Sequence, residues 1–107
     1  MVEFHDDFAA EVAGFPEAVR LELLATAALI EEFGPTLGRP HVDTLAGSRI
    51  PKLKELRFSA GGGIWRIAFA FNRRRVAILL AGGNKSGASE ARFYRNLIAR
   101  AERRYEG

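Results

Sequence analysis

Cysteine is absent from this 107-residue chain, which excludes disulfide staples, cysteine-rich zinc sites and thiol nucleophiles together. Histidine is scarce: only His5 and His41 occur, too far apart in sequence to read as a metal motif. No metal or cofactor is therefore expected. No apolar run exceeds the six residues of 76–81, far short of a membrane span. Residues 1–7 carry Glu3, Asp6 and Asp7 where a secretion signal needs bases, so a cytoplasmic protein without a membrane partner is expected. The length suits one domain spanning residues 1–107.

What is present is unevenly spread. Residues 1–38 hold eight acids and one base, a net −7, whereas residues 39–107 hold fifteen bases and five acids, a net +10. A basic half on a small domain suits a polyanion or an acidic protein partner. Arginines decorating a solvated surface would give the same count.

Hydrophobic spacing predicts a strand over 2–4, a short helix over about 7–13 capped by Asp6, and a longer helix over 17–33. In the longer helix Val19, Leu23, Ala27 and Ile30 form one apolar stripe, and Gly34-Pro35 ends it. Residues 35–52 make a long connection. Three strands follow, about 53–60, 64–71 and 76–81, with Gly61-Gly62-Gly63 in the first turn and Asn72-Arg73-Arg74-Arg75 in the second. A last helix over 89–105 has Tyr94, Leu97, Ile98, Ala101 and Tyr105 on its apolar face. The order predicts an α+β fold, an N-terminal helical hairpin and a C-terminal helix on a small antiparallel meander.

Strand parity then sets the faces. Trp65, Ile67, Phe69 and Phe71 share a core face, matched by Leu56 and Phe58 on the strand before. A two-residue Gly61-Gly62 turn pairs Phe58 with Trp65 and Leu56 with Ile67, and it sets Arg57 opposite Arg66. Like charges so placed repel by a few tenths of a kcal/mol, up to about 1. An anion between the two guanidiniums would turn that cost into binding. Alternatively Glu55, on the same face, neutralises the pair. The same parity sets Phe71 against Val76, Phe69 against Ile78 and Arg66 beside Ala81. Ala68, Ala70, Ala77 and Ala81 then leave an open, shallow face around Arg66.

Beyond the third strand, the stretch Gly82-Gly83-Asn84-Lys85-Ser86-Gly87 reads either as a phosphate-cradling loop or as a plain connection. Lys54 has the parity of the core face, which places it at a frayed strand start or curled round the edge. Arg57, Arg66 and Lys85, with Lys54 and Arg92, make a cation cluster without a metal. Such a cluster can act on RNA, whose 2′-hydroxyl supplies the nucleophile, by aligning it and stabilising developing charge. Tyr94 is a candidate proton-transfer group; its place on an apolar stripe also suits simple packing.

The runs Lys54-Glu55-Leu56-Arg57-Phe58, Ile64-Trp65-Arg66-Ile67-Ala68-Phe69, Ile78-Leu79-Leu80-Ala81-Gly82-Gly83-Asn84-Lys85-Ser86-Gly87 and Arg92-Phe93-Tyr94, taken in order, resemble the RelE/ParE toxin superfamily. The nearest branch is the phage-derived HigB-like toxins of type II toxin–antitoxin modules. The resemblance implies a ribosome-dependent mRNA endonuclease. Its neutralising antitoxin is expected to be a helix-turn-helix protein, through which operator DNA is touched only indirectly. Residue by residue, it implies that Arg66 contacts the scissile phosphate, that Arg57 and Lys54 belong to the phosphate-binding set, and that Lys85 and Tyr94 fall near the loop base and the aromatic acid/base position. Arg92 joins the basic residues beside them. The same scaffold also implies two alternatives without nuclease chemistry, a gyrase-poison-like module and an antitoxin-binding co-repressor.

Overall fold

The computed structural model describes residues 1–87 and 89–106. Strand β1 (Val2–Phe4) leads into helix α1 (Asp6–Ala13) and helix α2 (Glu17–Phe33). Strands β2 (Val42–Thr44), β3 (Lys54–Ala60), β4 (Gly63–Phe71) and β5 (Ala77–Asn84) follow, and helix α3 (Glu90–Glu106) comes last. The strands form one mixed sheet in the order β1-β5-β4-β3-β2, with β1 parallel to β5 and the other pairs antiparallel. The expected α+β architecture is the observed one, with a helical hairpin on one face of the sheet and α3 on the other.

Local chemistry explains the helix ends. The α1 cap is His5, whose Nδ1 accepts from the backbone N–H of Asp7 at 3.1 Å, rather than Asp6, which is the first helical residue. In α2 the missing N–H of Pro16 costs nothing at the cap, and Gly34 ends the helix at φ +58, where a Cβ would be strained. A single 3-10 turn, Gly34–Thr36, follows. The connection beyond it contains β2, an edge strand too short to read from sequence.

Two cores lie on opposite faces of the sheet. On one, Val19, Leu23 and Ile30 of α2 and Phe8 of α1 pack against Leu56, Ile67, Phe69 and Leu79. Each fully buried side chain of this size contributes about 1.5–3 kcal/mol. On the other, Leu97 and Ala101 of α3 pack against Ala68, Ala70, Leu80 and Ala81. The alanine face expected to be open is thus covered by α3 for most of its length. Small side chains admit the helix there, and Ala77 belongs to the opposite core.

The β3–β4 register is as expected: Phe58 faces Trp65, Leu56 faces Ile67 and Arg57 faces Arg66. Gly61 and Gly62 turn at φ +56 and +76, values that suit a tight hairpin. The β4–β5 register differs. Phe71 faces Ala77, Phe69 faces Leu79, and a bulge between Ala68 and Phe69 leaves Leu80 unpaired, so Arg66 lies opposite Gly83 rather than Ala81. Strand β5 also continues through Gly82, Gly83 and Asn84, which are therefore ladder residues and not a phosphate-cradling loop.

That bulge has a counterpart on α3. Because β1 covers β5 only over residues 77–79, the Leu80 and Gly82 carbonyls need other donors. Arg104 Nη1 donates to Leu80 O at 2.8 Å, and Arg100 Nη2 donates to Gly82 O at 3.2 Å. Arg104 also donates to both carboxylate oxygens of Glu11, fastening α3 to α1. Among the described residues no helix is long and apolar enough to cross a membrane.

Candidate functional site

The cross-strand pair Arg57 and Arg66 lies where β3 outruns its short edge partner β2. Both arginines line a cavity of about 360 Å³ with Pro40, Phe58, Ser59 and Ile64. The two guanidiniums are unequal. Arg57 is about one-third exposed, whereas the Arg66 side chain is 9% exposed, so burial fixes one and leaves the other accessible.

Glu55 holds the pair. Its side chain is 8% exposed, and Oε1 stands 3.4 Å from Arg57 Nε and 3.5 Å from Arg66 Nε. The same oxygen accepts from the Tyr94 hydroxyl at 3.2 Å. Across the strand Asp43 faces Glu55, and Asp43 Oδ2 reaches Arg57 Nη1 at 3.7 Å and Arg39 Nη2 at 2.8 Å. Two acids facing each other thus sit beside two arginines facing each other, and each like-charge pair offsets the repulsion of the other. Of the two readings left open by the sequence, neutralisation by Glu55 is realised in this chain. From the sequence Glu55 reads only as that counter-charge; its burial at the centre of the cluster cannot be counted from alternation, because Glu55 shares its face with the supposedly open side.

Arg66 is not fully satisfied. Its Nη1 donates to Trp65 O at 2.9 Å, but among the described residues the buried Nε has no hydrogen-bond partner, since Glu55 stands beyond good geometry. A buried charged donor left short in this way favours any anion that can approach it.

Tyr94 both packs and reaches the arginine pair's carboxylate. Its ring packs against the α3-side core, and its hydroxyl reaches the site. Burial, and then the negative charge of Glu55, raise its pKa above the ordinary tyrosine value, so the phenol stays protonated and acts as a donor. Lys85 lies 5.8 Å from the Tyr94 ring centroid, with Nζ 3.4 Å from Glu90 Oε1. Its backbone N–H donates to Ile64 O at 2.6 Å, which ties it to the cavity wall. Asn84 is occupied structurally, its Oδ1 accepting from Ile64 N and Ser86 N.

The remaining two candidates stand apart. Lys54 lines a different cavity, with Pro35, Lys52, Phe71 and Tyr105. Arg92 is exposed on the first turn of α3, and among the described residues its guanidinium makes no ion pair. The structure therefore gathers Arg57, Arg66 and Tyr94 around Glu55, sets Lys85 beside the Tyr94 ring, and leaves Lys54 and Arg92 outside. Among the described residues no group of three or more His, Asp or Glu side chains is placed to hold a metal ion.

A helical hairpin and a lone C-terminal helix on opposite faces of a small mixed sheet is the RelE-like architecture. The chain belongs to the phage-derived Gp49-like family, described as "Phage derived protein Gp49-like (DUF891)", whose model matches residues 10–106, within the HigB-like branch of the RelE/ParE superfamily. It is 52% identical over 66 residues to a Mycobacterium tuberculosis protein named "Putative toxin HigB2", covering 61% of this chain and 33% of that protein. It is 51% identical over 78 residues to another from the same organism, "Putative toxin HigB3", covering 73% of this chain and 66% of that protein. The matched stretches therefore span less than two thirds of either relative. No solved structure matches the chain.

Proposed function

We propose that the chain is the toxin of a type II toxin–antitoxin module and cleaves mRNA on the ribosome without a metal. One observation carries this reading: two arginines face each other across a ladder and line one cavity, with a protonated tyrosine on the carboxylate behind them. A phosphodiester in the cavity meets the exposed Arg57 guanidinium and the part of Arg66 that lines the cavity wall. The 2′-hydroxyl of the RNA, giving its proton to solvent water, then attacks phosphorus, and the 5′-oxygen of the next nucleotide leaves. The products are a 2′,3′-cyclic phosphate and a free 5′-hydroxyl. Arg57, Arg66 and Lys85 stabilise the charge that builds on the phosphoryl oxygens. Tyr94, held protonated, is suited to give its proton to the leaving oxygen. Glu55 is a positioning residue: it orients both guanidiniums and the phenol.

The antitoxin partner follows from the same surfaces. Leu21, Leu24 and Phe33 of α2 are exposed apolar side chains, and an acidic antitoxin segment would complement the basic cavity edge. Operator DNA would be met only through that antitoxin, and the site of action is the cytoplasm.

A second reading, a gyrase-poison-like module or a co-repressor without catalysis, is favoured by the fact that Glu55 already neutralises the arginine pair. Induction in cells lacking the antitoxin separates them. The nuclease reading expects arrested translation that Arg66→Ala relieves while the purified variant keeps the wild-type circular dichroism spectrum. Undiminished toxicity of a folded Arg66→Ala protein would contradict it.

A further inference from the structure

A cavity larger than the arginine site lies elsewhere on the protein. It measures about 570 Å³ and is lined by Pro35, Pro51, Lys52, Lys54, Phe71, Asn72 and Tyr105. It lies at the far end of β3 from the Gly61-Gly62 turn, between the end of α2 and the last turn of α3. Its volume falls in the range of small-molecule sites.

Its lining has three chemical components. Phe71 and Tyr105 supply aromatic surface, and Tyr105, in the last turn of α3, is 41% exposed. Lys52 and Lys54 supply positive charge, and Arg73, Arg74 and Arg75 follow directly on Asn72. Among the described residues none of these five cations makes an ion pair, in contrast to Arg57 and Arg66, which share Glu55. Asn72 uses its carbonyl oxygen to accept from Arg74 N at 2.8 Å and Val76 N at 3.0 Å. What it can offer a ligand is its amide NH2, a donor. The turn also puts Arg75 at φ +63, so the loop is fastened by Asn72 and presents its arginines from a fixed frame.

Aromatic faces beside unpaired cations are how proteins grip single-stranded nucleic acid: bases stack, lysines take the phosphate, and a side-chain amide reads a base edge. We infer that this cavity is a second binding site that takes one nucleotide of single-stranded RNA, its base against Tyr105 and Phe71 and its phosphate on Lys52 and Lys54. Lys54 thereby serves a flanking nucleotide and not the cleaved bond. The inference rests on RNA being the substrate class, yet it concerns binding alone and is tested in a chain that cannot cleave.

The test uses the full chain carrying Arg66→Ala, titrated with a short single-stranded RNA, adenosine 5′-monophosphate, adenosine and inorganic phosphate. Backbone amide shifts and affinity are read together. The nucleotide should move the amides of Lys52, Lys54, Asn72 and Tyr105. Adding Tyr105→Ala should weaken the RNA oligonucleotide about tenfold, and Tyr105→Phe should leave its affinity near the parent value. Lys52→Ala with Lys54→Ala should lower the slope of log affinity against log salt by about 1.4. Inorganic phosphate reproducing the nucleotide's shifts and affinity would reduce the cavity to an anion spot and overturn the proposal. So would RNA affinity indifferent to Tyr105→Ala. Those outcomes leave mRNA cleavage by the unsubstituted chain untouched, and absence of cleavage leaves these binding results standing.

Discussion

Replacing Glu55 by glutamine probes the organisation of the site most sharply. The substitution keeps the shape and an oxygen that can accept from the Tyr94 hydroxyl, but removes the negative charge between Arg57 and Arg66. Breaking a buried ion pair on one side costs about 3–5 kcal/mol, because the other charge is left uncompensated. Arg66, 9% exposed, is in that position; Arg57 retains Asp43 at 3.7 Å. The lower end, about 3 kcal/mol, is therefore expected, equivalent to a fall in Tm of roughly 12–24 °C for a domain of this size. Urea unfolding followed by circular dichroism measures it. Sulfate supplies the contrast: an anion on the two guanidiniums replaces the missing carboxylate, so millimolar sulfate should raise the Tm of Glu55→Gln more than that of the parent. A loss under about 1 kcal/mol, with equal sulfate effects, would refute the claim that Glu55 holds the arginine pair.

Other perturbations test separate parts of the account. Tyr94→Phe retains ring packing and removes the proton donor, so stability should change by only about 0.5–1.5 kcal/mol while single-turnover mRNA cleavage falls at least tenfold. Glu11 has its pKa lowered, chiefly by the hydrogen bonds from Arg104. Its stabilising contribution is therefore complete above the ordinary value of 4.5 and is lost as pH falls through the lower folded value. Glu11→Gln should flatten that part of the acid limb in melts between about pH 7 and pH 3. At Gly82 an added Cβ would lie 2.3 Å from Ile67 Cδ1 and 3.1 Å from Phe8 Cε1. Gly82→Ala should cost about 1–3 kcal/mol by overpacking. Part of that cost should return in an Ile67→Val background, measured as a double-mutant cycle.

Much of the fold was legible because local signals agreed. Pro16, Gly34 and one apolar stripe bound α2 at Glu17–Phe33, and two glycines at positive φ fix the β3–β4 hairpin and so the Arg57–Arg66 pairing. The β4–β5 register was not legible. Leu79 and Leu80 are both buried, on opposite faces of the sheet, so β5 has no polar alternation to count and its bulge leaves no mark in sequence. Parity says which side chains share a face but not what covers it. Ala68, Ala70 and Ala81 read as a shallow binding surface, and they are the seat of Leu97 and Ala101. Lys54 and Arg57, three residues apart on one strand, look like a single cation set; strand alternation and the sheet's length put them in separate cavities. Strand parity already set Glu55 beside the two arginines, whereas its hydrogen bond from Tyr94 depends on α3 lying across that end of the sheet.

The central claim, that the arginine pair cleaves RNA, is tested most directly by mapping mRNA 5′ ends in translating cells after induction without the antitoxin. The account predicts new 5′-hydroxyl ends within translated codons, present with the wild-type chain and reduced at least a hundredfold with Arg66→Ala. Growth arrest with intact mRNA, or the same ends from a folded Arg66→Ala chain, would contradict it.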